Sequence, residues 1–181
     1  MRHPLRVLSL AGVSLSLSLL ACAPETSTPP SPKCMELATY QATTLTPLTF
    51  TNDIYPIISS VDMTNGCGMS TICHGPTAMK IDPTGTKDLK FVDPPATVRA
   101  ALLMNAVHAP SMARVAPGNV GASFLAYKLS AKDGLACANS MCSAAAGIGT
   151  APCGDPMPSL GTLTDTDRTK ILDWIAQGAN E

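Results

Sequence analysis

The spacing of apolar residues along the chain predicts helices, and the clearest of them lies near the C-terminus. Thr164, followed three residues later by Asp167, makes a capping-box-like start, and Gly178 suits the position after the last turn. Between these two signals, apolar side chains recur at the spacing of one helix face, at Ile171, Trp174 and Ile175. The pattern predicts an amphipathic helix that begins after Thr164 and ends near Gly178.

A second helix is predicted over residues 50–58. Residues 51–53 are polar and suit a helix start, and the apolar residues around them fall on one face. Pro56 is compatible with this helix because it lies near the first turn, where a proline is tolerated. The apolar face consists of Phe50, Ile54, Ile57 and Ile58.

Two more helices are predicted in the middle of the chain, which makes the expected fold class mainly α. Residues 96–109 follow Pro94 and Pro95, which favour a helix start, and Pro110 ends the pattern. Residues 118–130 are predicted to form a shorter helix. The apolar positions of the two helices are Val98, Leu102, Ala106, Phe124, Leu125 and Leu129.

The segments between the predicted helices are rich in polar residues, glycine and proline. Residues 34–49 are Thr-rich with scattered Leu, which indicates irregular structure held by a disulfide of Cys34. Residues 64–95 contain a polar, glycine-containing stretch followed by a proline-punctuated loop. Residues 135–163 carry three cysteines among glycines and prolines and are expected to form a long crosslinked loop, of the kind that usually serves a function.

The N-terminus has the pattern of a secretory signal peptide. Basic residues precede an uncharged run over residues 7–20, which is too short to cross a bilayer as a helix. Leu19, Leu20 and Ala21 then precede Cys22. This sequence resembles the lipobox of bacterial lipoproteins, in which the cysteine carries the lipid. We therefore expect a signal peptide over residues 1–21 and a lipid anchor on Cys22 in the bacterial cell envelope, facing the periplasm or the cell exterior. The alternative is an ordinary signal peptide whose Cys22 later forms a disulfide.

Composition divides the remaining chain into a tether and a domain. Residues 23–32 are rich in Pro, Ser and Thr, which is typical of an extended linker. We assign residues 22–48 to the lipidated cysteine and tether, and residues 49–181 to one domain. Without residues 1–21 the chain has ten basic and thirteen acidic residues, a net charge of −3, and no basic run. This balance argues against nucleic acid as a partner.

Cysteine is the residue type that suggests chemistry. Aromatic residues make up only 4% of the chain, so the apolar core is modest and another stabilising feature is expected. Six cysteines follow Cys22, an even number in an oxidising compartment where disulfides persist. Disulfides, a covalent cofactor, or both are therefore predicted.

The strongest candidate site is the stretch from Cys67 to His74. Haem c is attached through two cysteine thiols, and the histidine directly after the second cysteine supplies an axial ligand. Here Cys73 and His74 are adjacent, but five residues rather than two separate the cysteines, so the spacer must loop out; Gly66 and Gly68 make such a loop sterically possible. A methionine thioether often supplies the sixth ligand. Met157, between two prolines that stiffen its loop, is the candidate.

Together with other segments, these residues resemble the cytochrome c-like domains of planctomycete and myxobacterial secreted proteins, with Cys-x5-Cys-His in place of CxxCH. The other segments are residues 50–58, Val115-Ala-Pro-Gly118 with Ser123-Phe-Leu, residues 154–158 and Trp174-Ile-Ala-Gln-Gly-Ala179; the resemblance covers residues 50–181. It implies haem attached to Cys67 and Cys73, iron ligated by His74 and Met157, and first and last helices that pack across each other.

Simpler interpretations stand beside these hypotheses. Cys67 and Cys73 would also suit a local disulfide in a secreted loop. Met157 would also suit a loop residue that covers the core, and His74 an exposed loop histidine. His108, near the end of the helix predicted over residues 96–109, is explained by the helix dipole, and a role as alternative sixth ligand is the second choice. A zinc site is disfavoured because no paired CxxC occurs. If haem occupies Cys67 and Cys73, three pairings remain open for the other cysteines, Cys34, Cys137, Cys142 and Cys153.

Two functions follow from these alternatives. The first is a membrane-anchored monohaem c-type cytochrome that exchanges electrons with a redox partner protein and has no enzymatic activity of its own. The second is a surface lipoprotein without haem, stabilised by disulfides, that serves as a binding or structural module. No Ser-His-Asp order, phosphate-binding glycine loop or pair of catalytic acids supports a hydrolase.

Overall fold

The computed structural model describes residues 32–60, 67, 74, 89–142, 153–158 and 163–181. The predicted signal peptide, Cys22 and Cys73 lie outside these residues. The helices in chain order are α1 (Pro32–Ala38), a π-helical turn (Phe50–Ile54) that continues into α2 (Tyr55–Ile58), α3 (Pro95–Leu102), a 3-10 turn (Val120–Ala122), α4 (Phe124–Lys128), α5 (Ala131–Ala136), a second 3-10 turn (Asn139–Met141) and α6 (Asp165–Ala176).

The expectation of a mainly α fold is confirmed. Within the described ranges no β-strand forms. Two isolated β-bridges pair Asn105 with Ala113 and Ala113 with Ser123. No helix in these ranges is both long and apolar enough to cross a membrane.

Helix α6 matches its prediction closely because its signals are local. The Thr164 hydroxyl accepts a hydrogen bond from the Asp167 N–H at 3.0 Å and donates to the Asp167 carboxylate at 2.8 Å. Gly178 follows the last turn with a φ of +104°, a conformation that favours glycine. The predicted apolar face, Ile171, Trp174 and Ile175, is fully buried.

The π-helical turn at Phe50–Ile54 and helix α6 pack against each other in the core. The rings of Phe50 and Trp174 lie 5.4 Å apart. The Asn180 carbonyl accepts hydrogen bonds from the Phe50 N–H at 3.0 Å and from the Trp174 indole at 2.8 Å. Pro56 lies in the first turn of α2, as the sequence predicts, while the helical structure begins at Phe50.

The predicted helix over residues 96–109 is wrong in its second half, since α3 ends at Leu102. The chain then turns back, and its returning backbone bonds to the end of the helix: the Val115 N–H donates to the Leu102 carbonyl at 2.8 Å. The Arg114 guanidinium caps the Ala101 carbonyl at 2.8 Å. The helix-dipole explanation of His108 therefore fails, because this residue lies in the turn beyond α3.

The predicted helix over residues 118–130 is divided by Ser123, whose backbone is extended at φ −101° and ψ 113°. Its buried hydroxyl accepts from the Ala116 N–H and donates to the Asn119 carbonyl, both at 2.8 Å. These bonds compete with helix formation and restrict the α-helix to α4. The chain then forms α5, which the sequence pattern did not indicate.

The prediction of irregular structure for residues 34–49 is wrong at its start, because α1 spans Pro32–Ala38. Cys34, as expected, forms a disulfide; its partner is Cys137, 103 residues away. Leu37 is buried in the core, and a side chain at Gly121 would come within 2.8 Å of the Ala38 Cα atom. The packed core thus includes residues that composition assigned to the tether.

The predicted disulfides are confirmed for four cysteines. Besides Cys34 and Cys137, a second disulfide joins Cys142 to Cys153, 11 residues apart. This is one of the three pairings left open by the sequence. The second disulfide crosslinks the loop that was predicted after residue 135.

The Asp173 side chain fastens residues 40–44 to α6. Its carboxylate accepts hydrogen bonds from the Tyr40 hydroxyl at 2.8 Å, the Thr43 N–H at 2.8 Å, the Thr43 hydroxyl at 2.7 Å and the Thr44 N–H at 3.1 Å. Burial raises the pKa of Asp173, but these hydrogen bonds outweigh it, so that its pKa lies below the ordinary value of 3.8. The carboxylate is thereby kept charged inside the protein.

Replacing Asp173 by asparagine is expected to lower the free energy of unfolding by about 2 to 3 kcal/mol. The amide NH2 group of asparagine would face hydroxyl and N–H groups that donate to a carboxylate oxygen in the wild type. The unfolded chain binds the Asp173 proton more readily than the folded chain does. The stabilisation is therefore present above about pH 4 and is lost as the pH falls through the folded-state pKa. Urea unfolding of D173N and of D165N, which removes an exposed charge, checks this. Equal stability of the two variants at pH 7 contradicts it.

Candidate cofactor site

Two of the predicted site residues, Cys67 and His74, lie next to each other. The His74 N–H donates to the Cys67 carbonyl at 3.2 Å, so the two ends of this stretch are in direct contact. A continuous helix would separate them, and the contact is what a looped spacer requires at its ends. Cys67 is buried, with 5% of its surface exposed, and belongs to the apolar core.

The His74 ring is held in one orientation by residues 89–91. Its Nδ1 atom lies 2.7 Å from the Leu89 carbonyl oxygen, and the Phe91 ring packs 4.5 Å from the imidazole centre. The Phe91 N–H in turn donates to the His74 carbonyl at 2.8 Å. Because a carbonyl only accepts, the proton of the neutral ring must be on Nδ1. The lone pair is then on Nε2.

The surroundings of His74 favour its neutral form. Burial lowers the pKa of His74 below its ordinary value of 6.5, and the positive charges of Lys128 and Arg114 lower it further. The hydrogen bond to Leu89 acts in the opposite direction but does not cancel these effects. Neutral imidazole is the form that binds metals.

Met157 lies in a segment, residues 153–158, that is attached to the end of α4. Its N–H donates to the Lys128 carbonyl at 2.8 Å, and its half-buried side chain packs against the core. The Lys128 ammonium donates to the Cys153 carbonyl at 2.9 Å and to the Asp155 carbonyl. Burial lowers the pKa of Lys128 to about 8, with the Asp155 charge acting in the opposite direction.

Lys128 interacts with both groups of residues: its charge lowers the pKa of His74, and its hydrogen bonds hold the segment that contains Met157. The buried Cys153, joined to Cys142, fixes the beginning of that segment covalently. The described residues contain no group of three or more His, Cys, Asp or Glu side chains able to hold a metal ion.

The donor set fits haem c better than it fits a bare metal ion. His74 has an oriented imidazole with its lone pair on Nε2, and a histidine that ligates a metal usually donates its other N–H to a carbonyl or carboxylate. Met157 offers a thioether, a ligand that haem iron accepts opposite histidine. Cys67 lies beside His74, where a porphyrin attachment point is required.

Sequence reasoning missed the residues that support the site. Lys128 had a signal, because it is one lysine within the apolar run of residues 124–129. The carbonyls of Leu89, Cys153 and Asp155 had none, since every residue has a carbonyl. No protein-family model, curated protein or solved structure matches the chain.

Proposed function

We propose that the protein is a membrane-anchored monohaem c-type cytochrome that transfers electrons. In this proposal Cys67 and Cys73 would hold the porphyrin, and His74 and Met157 would ligate its iron. The observation that carries it is the hydrogen bond between Nδ1 of His74 and the Leu89 carbonyl, which puts the proton of the neutral ring on Nδ1 and the lone pair on Nε2. A half-buried, neutral and oriented imidazole directly after a cysteine would suit a ligand of haem iron.

The residues around the site suit an electron carrier. Haem c supplies a one-electron couple between ferric and ferrous iron. The Met157 thioether favours the ferrous form, and the positive charges of Lys128 and Arg114 favour the state with the extra electron. We therefore expect a higher reduction potential than that of a haem with two histidine ligands. The chain itself transforms no substrate in this proposal.

The N-terminal pattern supplies the location. A lipid on Cys22 would hold the domain at a membrane surface of the bacterial cell envelope, with the residues after it as a spacer. From there the domain would exchange electrons with a redox partner protein. The alternative function, a disulfide-stabilised surface lipoprotein without haem, would use the same anchor and the same helices.

The full chain, expressed with its signal in a host that matures c-type cytochromes, is expected to be coloured. It should show a Soret band, and its haem should survive denaturing electrophoresis because thioether bonds are covalent. Intact mass should increase by one haem. A double variant, C67A with C73A, should lose all three properties while its far-ultraviolet circular dichroism stays helical.

The decisive contrary result is a colourless wild-type protein in which mass spectrometry finds Cys67 joined to Cys73. That outcome overturns the electron carrier and favours the binding or structural module. The same measurement on Cys22 tests the anchor, since lipidation adds the mass of acyl chains to the N-terminal peptide.

A further inference from the structure

Lys128 is buried at the end of α4, in a position where a lysine needs an explanation. Only 9% of its surface is exposed, and Phe124, Tyr127 and Leu129 around it in sequence are buried as well. An ammonium group taken out of water costs free energy unless other groups replace the lost hydration. The groups that contact the Lys128 ammonium therefore indicate the role of this side chain.

The described contacts of Lys128 converge on the segment over residues 153–158. Its ammonium donates to the Cys153 carbonyl at 2.9 Å and to the Asp155 carbonyl, while its own carbonyl accepts from the Met157 N–H at 2.8 Å. The Phe124 ring centre lies 5.8 Å from the ammonium nitrogen and adds a weaker attraction. Alternate residues of the segment, 153, 155 and 157, thus all bond to one residue.

The composition of the segment explains why a lysine side chain is used. Pro156 and Pro158 lack an N–H, so the segment has few donors with which to join a neighbouring helix. Its carbonyls remain as acceptors, and an ammonium group has three N–H bonds to offer them. Hydrogen bonds from a charged donor are also stronger than those between neutral groups.

We propose that Lys128 is the positioning residue for Met157, in that it fixes residues 153–158 against α4 and so presents the thioether to the iron. The presentation to iron rests on the proposed function. The fixing of the segment does not, because it consists of hydrogen bonds within the chain.

Amide hydrogen exchange of the mature protein tests the fixing of the segment. K128M keeps an unbranched apolar side chain but removes all three donors, and it should accelerate exchange over residues 153–158 about tenfold or more. Exchange within α6 should stay unchanged. The matched control is K170M, which removes a half-buried lysine of α6 and should leave residues 153–158 as in the wild type.

A second pair of variants keeps the test decisive. K128R retains charged donors and should restore at least part of the protection. If K128M does not fold, K128Q, whose amide has two N–H bonds on a shorter side chain, should still accelerate exchange over residues 153–158 about threefold relative to α6. Unchanged protection of the segment in the folded variant overturns the proposal.

The second part of the proposal, that Lys128 presents the Met157 thioether to the iron, is tested by spectroscopy. In haem-loaded protein, K128M should lose the sulfur-to-iron charge-transfer absorption and show a lower reduction potential, while K170M keeps both. A coloured protein whose K128M variant retains that absorption overturns this half. A colourless wild-type protein overturns the proposed function instead, and faster exchange in its K128M variant would still support the fixing of the segment.

Discussion

Replacing His74 by alanine is expected to remove most of the covalently bound haem, roughly a tenfold loss or more, whereas replacing His108 should leave the haem content unchanged. The two are the only histidines after residue 21, so they form a matched pair. His74 has an oriented ring beside Cys67, while His108 lies in the turn beyond α3. Haem absorbance per mole of purified protein measures the difference. Equal haem in H74A and H108A would remove His74 from the site.

The lowered pKa of His74 adds a pH dependence that does not require haem. The unfolded chain binds the histidine proton near pH 6.5, while the folded chain binds it only at lower pH. The contribution of neutral His74 to stability is therefore present above pH 6.5 and is lost as the pH falls through the folded-state pKa of His74. Unfolding of the C67A and C73A variant should show this loss, and the same variant with H74A should show less of it.

Removal of the disulfide between Cys34 and Cys137 is expected to lower the free energy of unfolding by about 4 to 5 kcal/mol. This disulfide closes a loop of 103 residues, and the entropy that a crosslink removes from the unfolded chain grows with loop length. The disulfide between Cys142 and Cys153 closes a loop of 11 residues, so its removal should cost about 2 to 3 kcal/mol. Urea unfolding of the two double alanine variants compares them.

The short disulfide serves as the internal control, because both variants lose two sulfur atoms and one bond. Equal losses would show that loop closure does not account for the stabilisation. A second distinction follows from location: loss of Cys142 and Cys153 should increase amide exchange over residues 153–158, whereas loss of Cys34 and Cys137 should increase it over α1.

Elements with local signals could be predicted from the sequence, and elements held by distant contacts could not. Helix α6 has its cap, its apolar face and its terminal glycine within fifteen residues, and its bounds were predicted closely. Helix α1 depends on a disulfide to Cys137 and on contact with Gly121, so nothing in its own composition indicated it. Helix α3 was predicted too long because the returning chain at Arg114, which caps its end, is remote in sequence.

The candidate site shows the same division. The adjacency of Cys73 and His74 and the two prolines around Met157 are visible in the sequence. The orientation of His74 depends on the backbone at Leu89, and the position of Met157 depends on Lys128. These partners are a carbonyl group and a lysine, which occur along the whole chain, and only the fold singles them out.

The sulfur–sulfur bond at Cys34 also determines how mechanical tension enters the domain. A pull from the N-terminal side reaches this bond at the third residue of α1 and passes directly to Cys137, just after α5. Because the disulfide joins two points 103 residues apart, such a force cannot unfold the residues between Cys34 and Cys137 one helical turn after another. A force applied from the N-terminal side is therefore carried by the disulfide, and residues 35–136 are protected from it.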